Sequence, residues 1–352
     1  MNSHPLYHTL TSILTSLPLS TKLRRVTRLF TLGVLTAGNC RLANVARTLS
    51  PIGALDSQYR RLQRFLANPR LDRAALQTAW AAWVLQQFGS SQSRLLVDET
   101  KLSTHLSIMV MGLWVDGGCI PLAWRCYHAK DYPKEGQVKL ICGLMETVLG
   151  AAPHRSFEVL ADRGIGTSPE LIKALHSLKV RVLFRVQGTV MFRDAHGCQI
   201  ALKAMVKEGE HWAGVGEVFK KCGWLKIYAQ VLWGQGYRDP WCLVSTAPVA
   251  AADYGQRFQH ECSFRDLKSD GFEWNTSHIW MPEHAERLIL ILALAYTLVL
   301  LLGMQVVRPQ RGRTTRYSLF RFGLEQIQAL VHPTILPLLP QPPPRFMTCV
   351  VQ

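Results

Sequence analysis

The 352-residue chain is poor in acids: 24 Asp and Glu stand against 40 Lys and Arg, a net charge of +16. That balance favours an anionic partner. Its nine cysteines include no Cys-x-x-Cys pair and no regular frame. A disulfide scaffold and a structural zinc module are therefore not expected, and free thiols in a reducing compartment are. The 12 histidines contain no His-Glu-x-x-His pair, which removes a zinc hydrolase. No internal repeat is present, and the first residues, MNSHPLYHTLTSILTSLPLS, lack the basic start of a secretory signal. Long apolar runs are nearly absent too. Leu288 to Met304 is the exception, 17 residues interrupted by Tyr296 and Thr297. It falls just short of the ~18–20 residues that span a bilayer and has no second span beside it. It reads as a buried core helix, and no membrane partner is expected.

A hydrophobic fraction of 48% supports a sizeable core and rules out a wholly disordered chain. The positive charge is concentrated at the ends. Residues 1–90 carry +9 and residues 301–352 carry +5, which leaves +2 for everything between. Basic ends around a near-neutral middle suit a polyanion, with a generic basic surface as the plain alternative.

Residues 8–90 carry helical periodicity. Lys22 to Ala37 places Leu23, Val26, Leu29, Phe30, Val34 and Leu35 at helical spacing, closed by Gly38-Asn39. A short helix in RLANVARTLS and a third over Leu55 to Ala67 follow. The third presents Arg60, Arg61 and Arg64 on or near one face, an order that suits a helix-turn-helix-like DNA contact or a small bundle with solvated arginines. From Ser93 the period changes. RLLVDE reads as a strand ending in acids, and HLSIMVMGLWV and CIPLAWRCYHAK form a hairpin about Asp116-Gly117-Gly118. A helix in VKLICGLMETVLGAA, a strand in SFEVLAD, a helix over Ser168 to Leu178 and a strand in VRVLFRVQ complete an order β-β-β-α-β-α-β. This is the order of a ribonuclease-H-like α/β sheet. Residues 188–246 are short, Gly-punctuated β-prone pieces, read as an antiparallel β insert. Helical character returns near Asp253.

Three carboxylates stand out by position. Asp98 and Asp162 close two strands, where α/β sheets place their chemistry. Glu261 lies in YGQRFQHECSFRDLK with Tyr254, Arg257 and Lys268 at offsets of 3, 7 and 14 from the tyrosine. On a regular α-helix these four fall on one stripe about 60° wide. An acid beside two cations and a tyrosine suits a metal ligand flanked by phosphate-gripping groups.

At these residues the chain resembles the insertion-sequence DDE transposases of the bacterial type-four family, whose signature is Tyr-x2-Arg-x3-Glu-x6-Lys. Asp98 in LLVDET matches that family's first catalytic Asp, Asp162 in ADRGIGTSPELIKAL its second, and Glu261 its Glu. Glu99, directly after Asp98, faces the other way on a strand and is read as structural. The resemblance implies a catalytic and metal-binding triad of Asp98, Asp162 and Glu261 that holds two Mg²⁺ ions, with Mn²⁺ as a substitute. It also implies strand cleavage at the element's ends and transesterification by the freed 3′-OH into target DNA. Tyr254, Arg257 and Lys268 would contact DNA, as would Arg60, Arg61 and Arg64. In relatives with a hairpin step a flipped base stacks on an aromatic, for which Trp212, Trp224, Trp233 and Trp241 are equally eligible. Arg163 could touch phosphate or cap its loop, His260 packs, and Trp274 and Trp280 anchor a loop.

The expected organisation is a helical DNA-binding region (1–90), an α/β ribonuclease-H-like mixed sheet with flanking helices in two parts (91–187 and 247–306), the β insert (188–246) and a basic, then Pro-rich tail (307–352). Expected partners are double-stranded DNA, as terminal inverted repeats and then target, and a second copy of the chain on that DNA. The expected location is the bacterial cytoplasm, at the nucleoid. Two rivals share much of this pattern: a transposase-derived DNA-binding regulator without turnover, and a stand-alone metal-dependent nuclease.

Overall fold

The computed structural model describes residues 5–306 and 318–334, which form two compact units: residues 81–263, and the described residues before 81 together with those after 263. Of the tail expected over 307–352, Pro-rich beyond Val331, residues 307–317 and 335–352 lie outside the described residues.

The first unit is built on one ten-stranded mixed sheet. Its strands are β1 (Gln92–Leu102), β2 (Leu106–Val115), β3 (Gly118–His128), β4 (Ser156–Ala161), β5 (Arg181–Arg185), β6 (Met191–Arg193), β7 (Gln199–Ala201), β8 (His211–Val218), β9 (Leu225–Leu232) and β10 (Trp241–Ser245). Their spatial order is β3-β2-β1-β4-β5-β10-β9-β8-β6-β7. The hairpin forms as its Asp-Gly pair predicts: Val115 faces Gly118 across a two-residue turn in which Gly117 takes a φ of 84°. β1, β4 and β5 are parallel, and their apolar runs are buried as central parallel strands require. Residues 188–246 supply antiparallel strands that extend this same sheet beyond β5, through the β10–β5 pairing.

Helices of the helical unit are α1 (Pro5–Ser16), α2 (Thr21–Ala37), α3 (Leu42–Thr48) and α4 (Leu55–Leu66); α5 (Arg73–Phe88) then leads toward β1. In the sheet unit, α6 (Gly136–Ala151) packs on β2 and β3, α7 (Arg163–Gly166) is a single turn, and α8 (Pro169–Ser177) lies on β5. Ser168 caps α8 by accepting from the Leu171 amide, with Pro169 at the first helical position. α9 (Phe258–Arg265) follows a 3₁₀ segment, Ala251–Arg257, and leads into a π-helical turn, Asp266–Asp270.

The helical unit is organised about α10 (Pro282–Val306). Every residue from 288 to 300 is 3% exposed or less, so the long apolar run is a core helix, surrounded by α1, α2, α4 and α11 (Leu319–Thr334). It remains one helix long and apolar enough to cross a membrane by length and composition, with most of its apolar window buried in protein. α11 lies inside the span whose sequence reads as tail. It packs on α10 at two glycines, where a Cβ on Gly323 would lie 2.1 Å from the Val299 carbonyl oxygen and one on Gly303 2.4 Å from that of Leu319. Tyr296 and Phe320 stack there, with ring centres 5.2 Å apart.

Candidate active site

The sheet register builds the site. Along β1, Arg94, Leu96 and Asp98 alternate onto one face; along β4 and just past it, so do Glu158, Leu160 and Asp162. Arg94 faces Glu158 and Leu96 faces Leu160 across the parallel pair. The ladder ends at Val97 and Ala161, which leaves Asp98 and Asp162 as the next residues on each chain. Asp98 does not end its strand, as the sequence suggests. β1 continues to Leu102, because β2 pairs with it over its full second half. Asp98 instead sits where the parallel partner stops, which opens the sheet beside it.

The segment Ala251–Arg257 runs over this face in the same direction. Asp253 pairs with Arg94 at 2.6 Å, and the same arginine reaches Glu158 at 3.0 Å. Tyr254 packs into a cluster with Leu96, Leu160, Leu183 and Leu243, edge-on to Trp241. Arg257 then donates to Asp98 Oδ2 at 3.2 Å and to Glu261 Oε1. Three successive contacts thus follow the three levels of the sheet face: ion pair, apolar packing, carboxylate.

The single α-helical stripe expected for Tyr254, Arg257, Glu261 and Lys268 is corrected here. The segment is 3₁₀-helical through Arg257, α-helical over Phe258–Arg265 and π-helical from Asp266, so no constant angle per residue holds across it. Tyr254 turns inward and is 4% exposed, because its ring completes the core beneath the acids. Burial pushes its phenol up to about 12. Lys268 belongs to the π-helical turn of the helical unit.

The acids differ in environment. Asp98 is pushed up to about 6, chiefly by burial and further by the charges of Asp162 and Glu261, against the pull of Arg257. Its Oδ1 accepts from the Glu99 amide at 2.8 Å. Asp162 caps the α7 turn: its Oδ1 accepts from the Gly164 and Ile165 amides at 3.0 and 3.1 Å. α7 can lie against β5 only because residue 166 is glycine, where a Cβ would meet the Arg185 carbonyl oxygen at 2.5 Å. Burial works against the charge on Arg257, but Tyr254 and the carboxylates outweigh it and hold the guanidinium above its usual value. His260 is buried, pushed down to about 3 by burial and by Arg257, so its imidazole is neutral at physiological pH. Glu99 is electrostatically coupled to Tyr127, away from Asp98's partners.

Asp98 is within electrostatic reach of both Asp162 and Glu261, and carboxylate oxygens are the donors that hard divalent cations take. Among the described residues no three His, Cys, Asp or Glu side chains are gathered closely enough to hold an ion. In this arrangement the Arg257 guanidinium lies between Asp98 and Glu261 and bonds to both.

The insert tryptophans fall at different places. Trp241 pairs with Leu232 at the end of the sheet that carries the acids, and Trp233 directly follows. Trp224 precedes β9 at the opposite end and lies under Arg193, whose guanidinium is 4.4 Å from the ring centre. Trp212 meets Phe192 edge-on. Trp274 is fully buried, and Trp280 lies edge-on to His278.

In the helical unit, Arg61 and Arg64 line a cleft of about 780 Å³ with Lys22 and Arg70. Arg60 is exposed on the same helix but lines no part of it. Arg61 is lowered by burial and by the like charges of Arg25 and Arg64. Lys22 and Arg25 carry no local signal for this cleft, since only the packing of α2 against α4 brings them to Arg61, while Arg70 comes from the turn that follows α4.

A comparison with curated proteins finds no match. Residues 138–298, which contain Asp162, Arg257 and Glu261, match the family described as the transposase DDE domain, and this supports reading the chain as a DDE transposase, an enzyme that acts on DNA.

Proposed function

We propose that the chain is the transposase of a bacterial insertion sequence of the type-four family, that it binds the terminal inverted repeats of its own element, and that it cleaves and joins DNA strands with Asp98, Asp162 and Glu261. The observation that carries this reading is the bridge from Arg257 to both Asp98 and Glu261 above the β1–β4 junction that delivers Asp162. It ties the signature segment to the strand acids within one unit.

Asp98, Asp162 and Glu261 would hold two Mg²⁺ ions, for which Mn²⁺ would substitute. Bound there, the ions would supply Lewis acidity to the attacking hydroxyl and charge neutralisation at the scissile phosphate. The chain's own part is positional and electrostatic. Arg94 and Asp253 fix the segment on the sheet, Tyr254 keeps water from beneath the acids, and Arg257, once released from Asp98 and Glu261, is placed to bind a phosphate oxygen bidentately. In the cleavage step a water oxygen forms a bond to phosphorus and gives up its proton to solvent, while the bond to the 3′-oxygen breaks and that oxygen takes a proton from solvent to leave as a 3′-hydroxyl. In the joining step the oxygen of that hydroxyl forms a bond to a target-strand phosphorus and loses its proton to solvent, while the bond from that phosphorus to its own 3′-oxygen breaks and this oxygen leaves protonated. The basic cleft of the helical unit supplies the sequence-independent part of end binding. The enzyme acts as a homodimer on DNA in the bacterial cytoplasm, at the nucleoid, with residues 188–246 as its β insert.

The test uses purified protein, Mg²⁺ and a labelled duplex carrying the DNA that adjoins its reading frame. Cleavage at the element boundary, with strand transfer, lost in Asp98→Ala, Asp162→Ala and Glu261→Ala, is the expected result. Cleavage without joining points to a nuclease. Specific binding that is identical in wild type and variants, with no cleavage, points to a regulator and overturns the enzyme.

A further inference from the structure

Beside Asp162 the sheet unit carries a second feature that the three acids do not use. A cleft of about 430 Å³ lies between the loop after β5, the α7 turn and the loop before β10, lined by Arg163, Arg185, Gly188, Lys203, Asp239 and Pro240 among others. Its volume is within the range of ordinary ligand sites, ~300–1,000 Å³. Three cations face it against one carboxylate. None of the three forms an ion pair among the described residues. Three other arginines of this unit are matched: Arg94 with Glu158 and Asp253, Arg193 with Glu217, Arg257 with Asp98 and Glu261.

The walls are fixed by backbone and hydroxyl bonds. The Gln187 amide donates to Thr167 Oγ1 at 2.9 Å, and that hydroxyl donates to the Arg163 carbonyl at 2.8 Å. The Lys203 amide donates to the Gly188 carbonyl at 3.0 Å, and the Val186 amide to that of Cys242 at 2.8 Å. A Cβ on Gly188 would lie 2.9 Å from Lys203 Cβ, so glycine there lets the lysine stem close against the loop. The backbone frame of the cleft is thus fixed, and its three cations show no ion pair among the described residues, at the end of the sheet where β4 delivers Asp162. Arg185 is also within electrostatic reach of Tyr254, beneath Asp98.

We infer that this cleft is a subsite for the phosphodiester backbone of the DNA strand next to the bond being cut, with Arg185 and Lys203 gripping one or two phosphates and Arg163 joining the subsite to Asp162. The inference deepens the transposase reading and rests on it. A rigid anion site one step from the acids would set the strand's register over them, which base-independent contacts do by position rather than by sequence.

The experiment measures binding and cleavage of the labelled boundary duplex across a salt series, for wild type, Lys203→Gln, Arg185→Met and Arg185→Lys. Lys179→Gln, in the turn at the far end of β5, is the control. Each cation lost should lower the slope of log affinity against log salt by about 0.9 and weaken binding several-fold, while Arg185→Lys and Lys179→Gln retain the wild-type slope. In duplexes with one methylphosphonate at a time beside the cleaved bond, one neutralised phosphate that harms wild type should cost Lys203→Gln nothing further. Lys203 is exposed, so that variant tests the subsite even if Arg185→Met misfolds. Wild-type cleavage with unchanged slopes in Lys203→Gln and Arg185→Met, or with every neutralised phosphate adding its full cost to Lys203→Gln, overturns the subsite alone. A wild type that neither binds nor cleaves the duplex overturns the transposase reading with it.

Discussion

Arg94 and Asp253 are 159 residues apart in sequence and joined by an ion pair of 2.6 Å, through an arginine that also holds the fully buried Glu158. Glu158 lies four residues before Asp162, Arg94 four before Asp98 and Asp253 four before Arg257. One arginine therefore sets the lower end of all three segments whose upper ends carry the site.

Removing that arginine should be costly in a specific way. Arg94→Met leaves Glu158 charged and unpaired in the sheet, a change that costs about 3–5 kcal/mol when a buried partner is lost. The half-exposed Asp253 adds little. Urea unfolding should show most of the loss restored in Arg94→Met/Glu158→Met, since an apolar pair leaves no uncompensated charge. A double variant no more stable than Arg94→Met would show that the arginine acts through packing alone.

Asp98 should limit stability near neutral pH. Its folded-state value, raised to about 6 from an ordinary 3.8, means the protonated form fits the fold better. The stabilisation is complete below pH 4 and is lost as pH rises through 6. Asp98→Asn should thus melt higher than wild type at pH 7.5 in the absence of divalent ions, by a margin of roughly 3 kcal/mol at most. The advantage should vanish by pH 4. Equal melting of the two proteins at pH 7.5 would count against the burial argument.

Arg257 competes for the carboxylates it bridges. Calorimetric titration with Mn²⁺ should find Arg257→Met binding tighter than wild type, by about tenfold for one charge-assisted contact removed. DNA cleavage by the same variant should fall. Weaker Mn²⁺ binding would mean that the guanidinium organises the acids instead of competing for them.

Two glycines in helices should respond oppositely to alanine. Gly323→Ala drives a methyl into the Val299 carbonyl at 2.1 Å, backbone that cannot yield cheaply, and should destabilise by about 1–3 kcal/mol. Gly143→Ala in α6 meets nothing within 4 Å and should stabilise by about 0.5–1 kcal/mol. Thermal denaturation of the two variants side by side gives both signs.

What the sequence revealed follows from how locally each feature is encoded. The Asp-Gly turn, the apolar runs of β1 and β4 and the Ser-Pro start of α8 each depend on neighbours within a few residues, and each forms where expected. The strand register, by contrast, is tertiary. Nothing in LLVDET says that β1 runs on to Leu102, because that extension is enforced by β2. The irregular helix after Ala251 was equally hidden: its turns follow the need to seat Asp253 on Arg94 and Tyr254 on Leu96, not a helical period. β7, with three residues, and the cations Arg185 and Lys203 carry no local signal either. Arg185 ends β5, and it meets Lys203 only through a glycine-punctuated loop.

The place of β1 and β4 in the sheet order has a consequence for how the site breathes. Each is hydrogen-bonded on both sides, β1 by β2 and β4, β4 by β1 and β5. Their amides should be among the slowest to exchange with deuterated solvent, while those of the 3₁₀ segment Ala251–Arg257, held by a few side-chain contacts, should exchange early. The reacting groups would then span a boundary in time: two acids on a floor that opens only with global unfolding, and Arg257 on a strap that lifts far more often, free to trade its carboxylates for a phosphate while the floor stays still.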